Sequence, residues 1–263
     1  MASIVLSAKY SHDIGHWSSH FHDCHQLIFI EEGHVCVTVN DKIYHAGPGS
    51  LIITNRFETH SIQIESDVYK RYTLRFRPDL SGRENKLLSI LVNRPENFRH
   101  VLDLSAVPEI PFLLKAILKE WTQQDDLWEK QLDYCLYSLL ICLHRCYPEL
   151  QQTKSETLKL VQSVQTFLEE NYALPCCLDS LAQKYHMSAS HLSHTFKKIT
   201  GQSVIGYLSA CRFAAAKRLL CETDMEISDI VSACGFSDCS NFSRSFRALS
   251  GMSPSQFRAH NKH

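Results

Sequence analysis

The chain has 263 residues, enough for one large domain or two ordinary ones, since single domains run to roughly 100–200 residues. Apolar residues make up 44% and charged residues 21%, which supplies real cores and excludes a disordered chain. With 27 Lys/Arg against 28 Asp/Glu the chain is not cationic all over, but a local basic face stays open.

The opening run MASIVLSAKYSHD has too short an apolar stretch for a signal peptide. The longest later one, Tyr134 to Leu143, falls well below the roughly 20 residues that a bilayer span needs. A soluble, cytoplasmic protein without a membrane partner is expected. Eleven cysteines are scattered with no CxxC pair, so they read mostly as small buried hydrophobes rather than a zinc or redox motif.

From Gln26 to Thr54 the segments LIFI, VCVTVN, KIYHA and LIIT read as strands. Glu31-Glu32-Gly33, Asn40-Asp41 and Gly47-Pro48-Gly49 separate them as turn signals. Val35, Val37 and Val39 alternate with polar or small residues, as in a strand with one buried face. Another strand is expected at Tyr69 to Arg77, and a helix around Glu84 to Leu91. From Pro108 onward the period becomes helical. A helix around Phe112 to Thr122 precedes a second in which Leu132, Leu136, Leu139, Leu140 and Leu143 share one face. That stripe suits either a partner helix or the chain's own β-layer.

Charge divides the same way. Residues 1–152 carry 15 Lys/Arg against 19 Asp/Glu, a net of −4, and residues 153–263 carry 12 against 9, a net of +3. The second part therefore favours an anionic partner.

An internal repeat is the strongest signal. SHLSHTFKKITGQSVIGY from Ser190 matches SNFSRSFRALSGMSPSQF from Ser240 at a constant offset of 50 residues. Phe196 pairs with Phe246, Lys197 with Arg247, Gly201 with Gly251, and Tyr207 with Phe257. Two copies are too few for a solenoid. Each has the layout of a helix-turn-helix unit, at about 178–199 and 227–249. In the first, Asp179 is expected to cap the short helix, His186-Met187 to turn, and Ser188 to cap the second helix. In the second, Gly235-Phe236 turns and Ser237 or Asp238 caps. A long helix from Ser203 to Leu220 joins the units, and Ser253-Pro254 starts a final short one.

The second helix of such a unit fits the major groove with its exposed N-terminal face at the bases. That face carries Ser190, His191, Ser193 and His194 in the first unit, and Cys239, Ser240, Asn241, Ser243 and Arg244 in the second. Arg244 can pair with guanine and Asn241 with adenine, each through two hydrogen bonds. Lys197, Lys198 and Arg247 lie farther along and are expected to grip phosphates.

From Leu178 to Arg258 the chain resembles the DNA-binding domain of AraC/XylS-type bacterial transcription regulators. LAQKYHMSASHLSHTFKKITGQS, RFAAAKRLL and ISDIVSACGFSDCSNFSRSFRALSGMSPSQFR carry the resemblance, the last most specifically. It implies two recognition helices in successive major grooves on one face of DNA. By position it assigns base reading to Ser190, Ser193 and His194, then Cys239, Ser240, Ser243 and Arg244. His194 stands where the family often has arginine, which implies weaker discrimination at that half-site.

The first part is similar, more loosely, to the family's cupin-type sensor. His20-x-His22, LIFIEEG, Gly47-Pro48-Gly49 and His60 carry that likeness. The expected fold is α+β: a cupin-like sensing barrel over 1–107, a helical dimerisation or linker segment over 108–152, and an all-α DNA-binding domain over 153–263. The implied function is transcription regulation by a small effector, a sugar or related metabolite, bound near His20, His22, His60, Tyr72 and Arg75. Double-stranded DNA, the effector, a second copy of the chain and, for an activator, RNA polymerase are the expected partners. No cofactor is expected.

The histidines keep another class open. His20, His22, His25 and His60 could converge on a first-row metal, as in metal-dependent cupins, giving a metal-sensing regulator or a metalloenzyme. The glutamate expected soon after the second histidine is not clearly present. No phosphate loop, GxSxG elbow or HExxH motif occurs, so an enzyme is not expected.

Overall fold

The computed structural model describes residues 3–12, 15, 17–77, 98–148 and 156–261. The helix expected at Glu84 to Leu91 and the boundary expected at 152/153 lie outside these residues. Contacts divide the chain into two compact units, Met1–Lys154 and Ser155–His263.

The first unit is built on nine strands among the described residues. These are β1 (Val5–Ser11), β2 (Trp17–His20), β3 (His25–Glu32), β4 (Val35–Val39), β5 (Lys42–Ala46), β6 (Ser50–Thr54), β7 (His60–Ile64), β8 (Lys70–Phe76) and β9 (Val101–Asp103). They form two sheets, ordered β1-β8-β3-β6-β9 and β2-β7-β4-β5, with every pairing antiparallel.

Strand β3 explains why LIFI is continuously apolar. Leu27 and Phe29 face one core, while Ile28 and Ile30 face another, so the five-stranded sheet is buried on both sides. The second core lies between the sheets, where Ile28 and Ile30 meet Val35, Val37, Val39 and Ile62. Asn40 and Asp41, at φ 47° and 68°, turn β4 tightly into β5, and Val39 pairs with Lys42 across the turn.

Helices α1 (Glu109–Gln123) and α2 (Trp128–Cys146) cover the outer face of the five-stranded sheet. Leu132, Leu136, Leu139, Leu140 and Leu143 are all fully buried there among Leu27, Phe29, Leu74 and Ile117. Of the two readings open for the leucine stripe, the structure takes packing on the chain's own sheet.

The second unit is all helix: α3 (Glu156–Glu170), α4 (Leu178–Lys184), α5 (Ala189–Thr200), α6 (Val204–Glu222), α7 (Ile227–Ala233), α8 (Cys239–Ser250) and α9 (Pro254–Asn261). Among the described residues no helix of the chain is long and apolar enough to cross a membrane. All eleven cysteines are free, but only four are buried and three are exposed, so the expectation of mostly buried thiols is corrected.

Candidate DNA-reading helices and effector cavity

The 50-residue repeat returns in the helix ends and the aromatic packing. Ser188 caps α5 by accepting from the His191 amide, and Asp238 caps α8 by accepting from the Ser240 amide. Gly201 and Gly251, both at φ 75°, end the two helices and donate to the carbonyls of Lys197 and Arg247. Phe196 meets Tyr207 edge to face at 5.6 Å, and Phe246 meets Phe257 the same way at 5.4 Å.

The copies differ in two places. The first short helix is capped by the Cys177 thiol, which accepts from the Ser180 amide, and not by Asp179, which lies two residues past the cap, inside the helix. The left-handed turn residue is His186 in the first unit and Gly235 in the second. One more residue then precedes the cap in the second unit. Glycine is required there, because a Cβ at Gly235 would lie 2.5 Å from the Ala173 carbonyl oxygen.

On α5, Leu192, Thr195 and Phe196 point inward, leaving Ser190, His191, His194, Lys197 and Lys198 exposed and Ser193 half-buried. On α8, Phe242 and Phe246 point inward, leaving Cys239, Ser240, Asn241, Arg244 and Arg247 exposed and Ser243 half-buried. Arg244 donates to the Asn241 side-chain oxygen at 2.5 Å, so two of the base-reading candidates of the second unit form one polar group. Two other arginines of this unit are spent on the fold. Arg212 donates to the carbonyls of Tyr172 and Leu174, and Arg258 to that of Met225. Lys197, Arg244 and Arg247 leave exposed positive charge on α5 and α8.

Between the two sheets of the first unit lies a cavity of about 240 Å³. Its floor follows from strand register. Ser7, Arg75 and Gln26 lie abreast across β1, β8 and β3, and Lys9, Thr73 and Ile28 form the next row. His20 pairs with His60 across β2 and β7 and closes the opposite wall.

Of the five predicted ligand residues, His20, His60 and Arg75 line the cavity, and His22 touches it through Arg75, whose Nη2 donates to His22 Nε2 at 3.0 Å. Tyr72 does not. It faces the helix-covered core and meets Tyr10 at 4.8 Å, because strand alternation sends it opposite to Arg71, Thr73 and Arg75. Lys9, Gln26, Arg71 and Thr73 were missed, although Arg75 at a period of two points directly to residues 73 and 71.

The rings of His20, His22 and His60 lie 4.5–5.3 Å apart, and their nitrogens fall within 4.8 Å of one another. His25, the fourth metal candidate, is buried elsewhere, with Nδ1 at 2.9 Å from Asn55 Oδ1 and its ring against Phe76. The Arg75 guanidinium occupies the His22 Nε2 lone pair and adds positive charge where a cation would sit. This arrangement suits an anion better than a metal ion.

His60 donates from Nδ1 to the Glu58 carbonyl at 3.0 Å, and burial above all pushes its pKa down to about 4. The unfolded chain takes up this proton near pH 6.5, so between roughly pH 4 and 6.5 it binds more protons than the folded chain. Stability is complete above that window and is lost as the pH falls through it, by up to about 1.4 kcal/mol per pH unit. Urea denaturation of the first unit at stepped pH is expected to show this slope, and His60→Gln to flatten it.

A β-sheet sensor with an internal cavity and a paired helix-turn-helix unit with exposed polar faces together define a ligand-responsive DNA-binding protein. Comparison with known proteins gives the class its family. Residues 2–168 match the AraC-like ligand binding domain and residues 181–260 a helix-turn-helix domain. The chain belongs to the AraC-type family of transcription regulators, which bind DNA and small effectors and are not enzymes.

It is 24% identical to the HTH-type transcriptional activator RhaS of Citrobacter koseri, over 91% of this chain and 86% of that one. To the activator RhaR of Pectobacterium atrosepticum it is 28% identical, over 91% and 85%. Against the uncharacterized HTH-type regulator YijO of Escherichia coli identity rises to 35%, but over only 41% of this chain and 38% of that one. The fold matches that of ToxT from Vibrio cholerae with an unsaturated fatty acid bound, at a TM-score of 0.63 and 13% identity over 98% and 96% of the chains.

Proposed function

We propose that this cytoplasmic regulator binds a small metabolite, a sugar or a relative of one, in the cavity between the sheets. The chain works as a dimer and, as an activator, contacts RNA polymerase. Sensing is assigned to 1–107, the helical segment to 108–152 and DNA binding to 153–263. Ligand binding biases two arrangements of the DNA-binding parts by its differential affinity for them.

The observation that carries the DNA reading is the duplicated helix pair, side-chain-capped at matching positions, with polar faces on α5 and α8. Ser190, Ser193 and His194 read bases from the first unit, and Cys239, Ser240, Asn241, Ser243 and Arg244 from the second. Lys197, Lys198 and Arg247 hold phosphates. Arg244→Ala is expected to cost about 1–3 kcal/mol at one base pair and relax specificity there. Lys198→Ala should weaken all sequences alike and reduce the salt slope by about one. Binding assays on base-substituted sites at two salt concentrations separate these outcomes, and identical behaviour of the two variants would sink the assignment.

A further inference from the structure

The cavity between the sheets is lined by Lys9, Arg71 and Arg75 together with His20 and His60, and among the described residues no aspartate or glutamate lines it. Nearby carboxylates are already engaged: Asp23 with Arg56 and Arg77, Glu32 with Lys70, and Glu31 with the Tyr10 hydroxyl. The half-buried Arg75 guanidinium meets His22 and no carboxylate among the described residues, and burying a charge without a counter-ion is costly.

Two buried polar atoms sharpen the chemistry. Arg75 Nε, a donor, and Gln26 Oε1, an acceptor, have no hydrogen-bond partner among the described residues. They sit on directly paired positions of β8 and β3, so both are within reach of one small molecule. Buried polar groups are normally satisfied, and such a pair asks for a ligand carrying an acceptor and an O–H donor side by side. At about 240 Å³ the space lies below the roughly 300–1,000 Å³ of drug-sized pockets. Ser7, Ser11 and Thr73 add hydroxyls to the wall, which favours a polar occupant over an acyl chain.

We propose that the effector is a small hydroxycarboxylic acid, its carboxylate on Arg75 with Arg71 and Lys9 nearby, and a hydroxyl on Gln26. This deepens the assignment of the cavity as the effector site and rests on it.

Calorimetric titration of the full chain tests the proposal with L-lactate, L-tartrate, D-gluconate and D-glucuronate, each beside its amide or neutral sugar. At least one acid is expected to bind about tenfold or more tighter than its neutral counterpart, the size of one lost charged hydrogen bond. Arg75→Gln should remove that preference. Gln26→Leu, which deletes a buried unpartnered acceptor and so leaves folding intact, should bind the acid and its deoxy analogue equally.

Neutral counterparts binding as well as the acids, or no acid binding at all, would overturn the hydroxy-acid proposal. Ile62→Trp, which fills the cavity, tells that failure from failure of the site. Acid binding that survives Ile62→Trp in a folded protein places the effector elsewhere, whereas neutral binding lost in it keeps the site and rejects the anion.

Discussion

Phe246→Ala is expected to cost the DNA-binding unit about 3–5 kcal/mol, a large share of the stability of a small helical unit. Phe246 is fully buried and lies 5.4 Å from Phe242, 6.4 Å from Phe213 and 5.4 Å from Phe257, so it joins α8, the connecting helix α6 and the final helix α9. Alanine leaves a void that no single helix can collapse into. Because α8 is aimed by this aromatic cluster, DNA affinity should fall with stability. Urea unfolding of the second unit, followed beside a binding titration, checks both. A loss of stability under about 1 kcal/mol would mean that the ring is not the hub of these helices.

Leu136→Ala is expected to destabilise the first unit by about 2–5 kcal/mol without changing the oligomeric state. Leu136 is fully buried where α2 meets the five-stranded sheet, beside Leu132, Leu139 and Leu140. If the leucine stripe were instead a contact between chains, the variant would dissociate while its monomer kept its stability. Denaturation and sedimentation of the same sample tell the two apart. Phe112 and Tyr134, on α1 and α2, are large apolar groups that stay exposed.

The second unit was legible because its signals are local. Caps, turn glycines and apolar spacing recur at a fixed offset, and Ser188, Gly201, Asp238 and Gly251 take the expected positions. Asp179 misled because a cysteine thiol, a rare cap, does the work of the usual hydroxyl or carboxylate two positions earlier.

In the first unit the central strands β3, β4 and β6 were readable from continuous or alternating apolar runs. Strands β2 and β9 span only four and three residues, too short for a period to emerge. A register shift between Val5 and Ser7 breaks the alternation of β1. The cavity was half legible. His20 and His60 stood out as histidines, but Tyr72 was named together with Arg75, whereas two strand residues three apart face opposite sides of the sheet. Gln26 carried no sequence signal, since its role follows from lying opposite Arg75.

The most direct measurement is a footprint of the full chain on DNA fragments that it selects from a random pool. Two protected major-groove segments about 10 base pairs apart on one face are expected, one changed in sequence preference by substitutions at His194 and the other by substitutions at Arg244. A single protected segment indifferent to either helix, or no selection even at low salt, would contradict the assignment of α5 and α8 as paired readers of DNA.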